Sequence, residues 1–441
     1  MTDRNDRNLN FAILFLVMLI TGAGNTALQS VLPAIGRSMG VADSLIATIF
    51  SVSALIWVFS APYWAKRSDR KGRKAMVVIG STGFTVSILL VGIMLYAGLQ
   101  GWVGATVAVL AIIVSRTIFG LFGSAAPPAA QAMVVLQTPK DQRTKALSLL
   151  GSAFGMGTVL GLALAPWMVL PVVGLAGPAF CFGLLGAITL FLIITRLPDD
   201  RGGTETLDDA RGANVSYPSL GGAPAGASVK AVTADRTEKN DTLKLTDDRI
   251  WPWMVCGAVF GHAQAMTGST MGFLVIDRLA LDVTMPITQQ SIGLVLMSGA
   301  AATLLVQWGL IPLFNMKPRT MALLGMVIAV FGLIINAFAT SLYGIATSYA
   351  MAAAGFGFTR PAFTAGSSLA VGRKLQALVA GRVTSVNGSS YVLAPTIGVG
   401  LYEVWKPAPY LVAAAMMALL IPYVKYRISP LDPEESPSPV Q

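Results

Sequence analysis

Few side chains of this sequence can carry a charge or a proton into an apolar environment, and most of those are basic. The chain holds 31 Lys and Arg, 21 Asp and Glu and a single His. Arg116, Arg360, Arg382 and His262 fall inside long apolar runs. Every acid lies in a loop or at the end of such a run, with Asp43, Asp277 and Glu403 the nearest. An ionisable group inside a membrane is costly and is kept for use. A buried guanidinium can hold an anion, and an imidazole can exchange a proton near neutral pH. Arg116 and Arg360 are therefore candidates for substrate charge or coupling, and His262, Asp277 and Glu403 for proton binding. Structural readings stand beside these. Arg116 can bond backbone carbonyls, Asn25 or Gln29, Arg360 can snorkel to the surface, and His262 can be a satisfied core residue.

Uncharged polar residues extend the pattern. Thr21, Asn25 and Gln29 form an i, i+4 stripe that can bind substrate or join helices. Arg116 and Gly120 share a helical face, as do His262, Met266 and Thr270, then Tyr349, Phe356 and Arg360, then Asn387 and Tyr391. The glycines from Gly151 to Gly161 suit close helix packing. One His and two isolated cysteines, Cys181 and Cys256, make no metal or catalytic constellation. No P-loop is present. The expectation is no metal, no cofactor and no enzyme.

The elements that position these residues are apolar helices. The sequence is 54% hydrophobic and 12% charged, with mean hydropathy +0.67. A soluble domain carries about twice that charge. Twelve spans are predicted, at 10–34, 44–65, 75–98, 103–126, 146–169, 177–195, 252–276, 289–313, 319–339, 342–368, 378–403 and 408–427. The class is an all-α polytopic membrane protein with two six-helix halves, 1–196 and 251–427. A flexible polar linker, 197–250, and a tail, 428–441, complete it. Six bases and one acid crowd Trp64–Lys74. Lys140, Arg143, Lys145, Lys317, Arg319, Arg373, Lys374, Lys425 and Arg427 share that side, against Arg37, Arg278 and Lys406 on the other. The asymmetry puts both termini and the linker in the cytoplasm. It also accounts for the net charge of +10 without nucleic acid.

The halves look repeated. Gly123–Pro128 pairs with Gly357–Ala362, and Leu160–Ala165 with Leu393–Gly398, each offset by about 233 residues. Repeated halves around a midplane site describe a secondary transporter. Here the chain resembles the major facilitator superfamily, and within it the twelve-helix drug:proton antiporters similar to tetracycline exporters. Asp69, Arg70, Gly72, Arg73 and Lys74 match the loop signature G-x-x-x-D-R-x-G-R-K, with Ala65 for its Gly. Arg116 and Gly120 match R-x-x-x-G. Gly151–Gly161 matches the fifth-helix antiporter signature in part, with Leu162 at its Pro. Leu136 stands where the family places an acid for Arg73.

The resemblance implies alternating access around a cavity lined by the first, fourth, seventh and tenth helices. It implies a cytoplasmic gate at Asp69, Arg70, Gly72 and Arg73. It implies efflux of amphipathic compounds in exchange for protons by a monomer in the inner membrane. Two rivals stay open: transport of an organic anion by symport, uniport or exchange, and a membrane scaffold that transports nothing.

Overall fold

A computed structural model describes residues 4–138, 143–199, 244–283, 285–314, 316–371 and 375–428. Most of the linker and tail, with Lys140, Arg373 and Lys374, lies outside the described residues. The side chains of Asp69 and Arg70 lie outside them too.

Twelve long helices follow the predicted order. The first half holds α1 (Arg4–Ser38), α2 (Asp43–Lys71), α3 (Arg73–Leu99), α4 (Ala105–Gln137), α5 (Arg143–Leu164) and α6 (Gly177–Arg196). The second holds α7 (Trp251–Arg278), α8 (Pro286–Phe314), α9 (Pro318–Phe338), α10 (Leu342–Leu369), α11 (Gln376–Val404) and α12 (Ala408–Arg427). The bundle has a near end, with the start of α1 and the α2–α3 turn, and a far end, with the α1–α2, α7–α8 and α11–α12 turns.

Among the described residues, nine of the twelve are long and apolar enough to cross a membrane. The exceptions are α7, α10 and α11. They bury Gln264, Thr267 and Thr270, then Ser348, Thr359 and Arg360, then Asn387 and Ser390. Faces turned to protein need no apolar side chains, so these helices read weakly by hydropathy. The fourth helix also runs 11 residues past its predicted end of 126. A π-turn at Phe119–Gly123 resets the backbone, and Pro127 and Pro128 fall in the first turn of the α-helical stretch beyond it. Proline there removes no needed N–H donor.

The repeat is visible in the packing. In the first half α1 packs on α5 and α6, and α3 on α4 and α6. In the second α7 packs on α11 and α12, and α9 on α10 and α12. The α1–α5 approach is close because Gly157 and Gly161 have no Cβ. One added there would collide with the carbonyls of Leu19 and Ala23. Thr26 Oγ1 crosses the same contact to the Thr158 carbonyl at 3.0 Å. At the near end Lys74 donates to the Ile194 and Leu197 carbonyls that end α6. Arg319, the second residue of α9 as Lys74 is of α3, donates to the Lys425 carbonyl near the end of α12 at 2.7 Å. Each places a cation on a helix C-terminus, worth about 0.3–1 kcal/mol.

Two cores result. One is continuous from the far-end part of the first half through the whole second half. The other occupies the near end of the first half, with Leu14, Trp64, Met76, Ala126, Met133, Leu150 and Ile193, and includes no second-half residue among the described ones. The halves share a core at the far end and part toward the near end.

Candidate functional site

The far end carries a charged seam. Arg37, at the last turn of α1, donates to Asp43 of α2 at 2.6 Å and to both oxygens of Asp277 at the end of α7. Asp277 also accepts from Tyr402 of α11 at 2.7 Å and pairs with Lys406 at 3.3 Å. The Arg37 guanidinium lies 5.5 Å from the Phe273 ring centre. The Ser44 backbone N–H, at the start of α2, donates to Glu403 of α11 at 2.9 Å. That puts an acid at a helix N-terminus across the seam. Below this layer Ser51 and Thr396 hydroxyls meet at 2.8 Å. Pro33 packs against Gly272, and Pro166 against Gly293. A cavity of about 30 Å³ between the halves is lined by Gln29, Phe50, Leu162, Ser269, Leu296 and Pro395 among others. That is room for water and not for an organic molecule. Two of the three expected proton sites, Asp277 and Glu403, are thus engaged in contacts at this end.

Deeper in the bundle the charges are paired differently. Arg116 is fully buried and donates to Asn25 Oδ1 of α1 at 2.5 Å, with its guanidinium 4.4 Å from the Phe119 ring centre. Arg360 of α10 donates to Gln264 Oε1 of α7 and, at 3.4 Å, to the Tyr391 hydroxyl of α11. Its guanidinium lies 5.6 Å from the Phe260 ring centre. Each half therefore buries one arginine against an amide and a phenyl ring. Arg360 points into the bundle and does not snorkel. Gln264 and Phe260 were not singled out from sequence. The signal was available, since Phe260 and Gln264 are one turn apart on one face. Arg382 is exposed near the start of α11.

The remaining candidates take mixed positions. Thr21 and Thr270 hydroxyls bond carbonyls of their own helices. Gly120 packs against the α2 backbone at Ser53, where an added Cβ would sit 2.6 Å from a carbonyl oxygen. That makes it a contact between helices. Met266 packs on Gly398 and Tyr349 on Gly299. Phe356 is buried. His262 is half-buried, and its Nδ1 donates to the Ala258 carbonyl at 2.7 Å. This fixes Nε2 as the nitrogen that can take a proton. In the near-end loop Gly72 has φ of 87°, a left-handed turn between α2 and α3 that favours glycine. Arg73 is buried beside it. At the entry to α7, Arg249 donates to Asp247 at 2.9 Å and holds that carboxyl below its usual range.

Comparison with known proteins agrees with this architecture. The Major Facilitator Superfamily profile matches residues 14–395. The multidrug resistance protein MdtG of Proteus mirabilis (strain HI4320) is 26% identical over 162 residues, 36% of this chain and 37% of that protein. MdtG of Enterobacter lignolyticus (strain SCF1) is 26% identical over 157 residues, 34% of each chain. The match spans about a third of the length of these curated relatives. Among solved structures, the human organic anion transporter MFSD10 (TETRAN) has a TM-score of 0.60 at 16% identity, covering 96% of this chain and 100% of that one. The nucleoside transporter NupG has a TM-score of 0.69 at 11% identity with the same coverage. These structural likenesses carry the fold.

Proposed function

The chain belongs to the major facilitator superfamily, and on that premise we propose that it exports amphipathic small organic compounds across the bacterial inner membrane in exchange for protons. The observation that carries this reading is the divided core. One continuous core joins the halves at the far end, and separate cores face each other toward the near end. A bundle sealed at one end by breakable ion pairs is suited to rocking about a site between its halves. The partial relationship to MdtG multidrug resistance proteins supports the substrate class.

The basic loops place the near end in the cytoplasm, so the closed far end faces outward. The unit is a monomer of two halves, 1–196 and 251–427, joined by the linker 197–250 and followed by the tail 428–441. The loop at Asp69, Arg70, Gly72 and Arg73 serves as the cytoplasmic gate. The coupling proton is assigned to His262, whose Nε2 is available while Nδ1 is anchored. Asp277 and Glu403 are already engaged as acceptors at the far end. They hold the far end closed as ionised acceptors, so a proton arriving there weakens closure.

Flux of ethidium from proteoliposomes under an imposed pH gradient tests the reading. The expected outcome is accumulation on the acidic side that collapses with the gradient, and a His262→Ala variant whose flux no longer follows pH. Flux indifferent to the gradient sinks the proton exchange. No flux in any condition sinks the export reading.

A further inference from the structure

Building on the transporter reading, we propose that Arg360, Gln264, Asn387 and Tyr391 form an anion-recognition site, and that the substrates include amphipathic organic acids bearing one carboxylate or sulfonate. Arg360 is 5% exposed and Asn387 is 2% exposed. One guanidinium nitrogen, Nη2, serves Gln264 and Tyr391. The other, Nη1, has no acceptor among the described residues, and neither has Asn387 Nδ2. Asn387 and Tyr391 are four residues apart on α11 and share a face. Tyr391 contacts Arg360, so the two orphan donors belong to one cluster drawn from α7, α10 and α11.

The charge of Arg360 is not cancelled locally. Its partners Gln264, Tyr391 and Phe260 are all neutral. The acids of α7, α10 and α11 are Asp277 and Glu403. Both are committed to the far end, and Asp277 is about 20 Å along α7 from Gln264 at 1.5 Å per residue. A buried cation that keeps its charge against neutral partners is held at a cost. A ligand anion offsets that cost, and its two oxygens match a guanidinium N–H beside an amide N–H. The depth is also suitable. By the repeat of Pro127 with Pro361, Arg360 corresponds to Ala126. Ala126 belongs to the core that has parted from the second half. A solute entering between the halves from the near end meets the bundle at this level. On the same face of α10, Phe356 and Phe363 lie one turn to either side, which suits an apolar body attached to the anion.

The test uses 2-naphthoate and its uncharged methyl ester with the full-length protein. In detergent, the acid is expected to raise the unfolding temperature of wild type and the ester to leave it unchanged. In proteoliposomes, Arg360→Gln is expected to lose naphthoate flux about 10-fold or more, the scale of losing a charged hydrogen-bond partner. Arg360→Lys should recover part of it. Asn387→Ala should lose less than Arg360→Gln, and the exposed Arg382→Gln nothing. If Arg360→Gln does not fold by gel filtration, Asn387→Ala and the acid-to-ester preference of wild type decide. Equal handling of acid and ester overturns the anion site, as does wild-type naphthoate flux in Arg360→Gln or, failing its fold, in Asn387→Ala. Ethidium flux that persists in those cases leaves the transporter reading standing. Absence of flux for both ethidium and naphthoate removes the two together.

Discussion

The far-end seam and the buried arginines of the interior treat positive charge in opposite ways. At the far end Arg37 and Lys406 meet Asp43 and Asp277, and Arg37–Asp277, with the Ser44 N–H on Glu403, runs between halves. In the interior Arg116 and Arg360 meet Asn25 and Gln264, and each contact stays within one half. The difference follows from where water can return. A far-end pair that opens is rehydrated, so its separation costs little and the seam is reversible. An interior arginine stays inside its half whichever way the halves lean. It needs a partner that persists through the motion, and an amide within the same half is such a partner. For Arg360 it also leaves the charge uncancelled among the described residues. One region uses charge to hold two bodies together, and the other keeps charge available for what passes between them.

The comparison can be broken most directly by making the seam permanent. Cysteines at Ser51→Cys and Thr396→Cys replace hydroxyls 2.8 Å apart. Oxidation should stop transport completely, and reductant should restore it. Transport that continues under a verified cross-link would mean that the far end need not open.

The next largest effect is expected in the interior. Arg116→Ala removes a fully buried side chain that joins α4 to α1 and rests on Phe119. Its loss should lower unfolding stability by about 3 kcal/mol, from lost packing and an Asn25 left without its donor. Chemical denaturation in detergent measures this. A change below about 0.5 kcal/mol, the range of ordinary surface substitutions, would assign Arg116 to the ligand and not to the scaffold.

Asp277→Asn comes third. It removes the acceptor shared by Arg37, Tyr402 and Lys406, and should shift the open–closed balance by about 1–2 kcal/mol, roughly 10-fold in population. Labelling of a cysteine at Ser44→Cys by a membrane-impermeant maleimide should speed up accordingly. Acidification should act in the same direction, because protonating Asp277 removes the anion that holds Arg37 across the halves. With rates normalised at each pH to the same cysteine in unfolded protein, since thiols react more slowly as pH falls, a lower normalised rate at low pH would reverse the assignment of the seam as a lock.

Glu403→Gln is expected to do least. An amide oxygen still accepts from the Ser44 N–H, and only the charge at the α2 N-terminus is lost, about 0.5 kcal/mol. A large effect here would mean that Glu403 exchanges a proton during transport.

Much of this was legible from residue order. The helices lie close to the predicted spans, because runs of about 20 apolar residues leave a membrane chain few choices. The turn between α2 and α3 falls at the signature residue Gly72, whose φ of 87° favours glycine. The fourth helix was cut short at 126, because the sequence does not announce the π-turn that makes Pro127 harmless. Gly120 read as a cavity residue from its face, and its neighbour proved to be the backbone of α2. Lys74 read as a signature residue and Arg319 as a topology charge, and the fold uses both at helix ends.

By itself the sequence determined the number of helices, their alternation across the bilayer, the relation of the two halves and the family. Each rests on local properties: hydropathy, the cost of moving charge through lipid, and motif spacing. Only the tertiary structure decided which charges meet. Arg37 and Asp277 are 240 residues apart, and Arg360 and Gln264 are 96 apart. Contacts of that kind depend on the angle at which helices pack and on which half has leaned where. No periodicity within one helix encodes its neighbour, so the lock at the far end and the uncancelled arginine in the second half appear only once the helices are assembled.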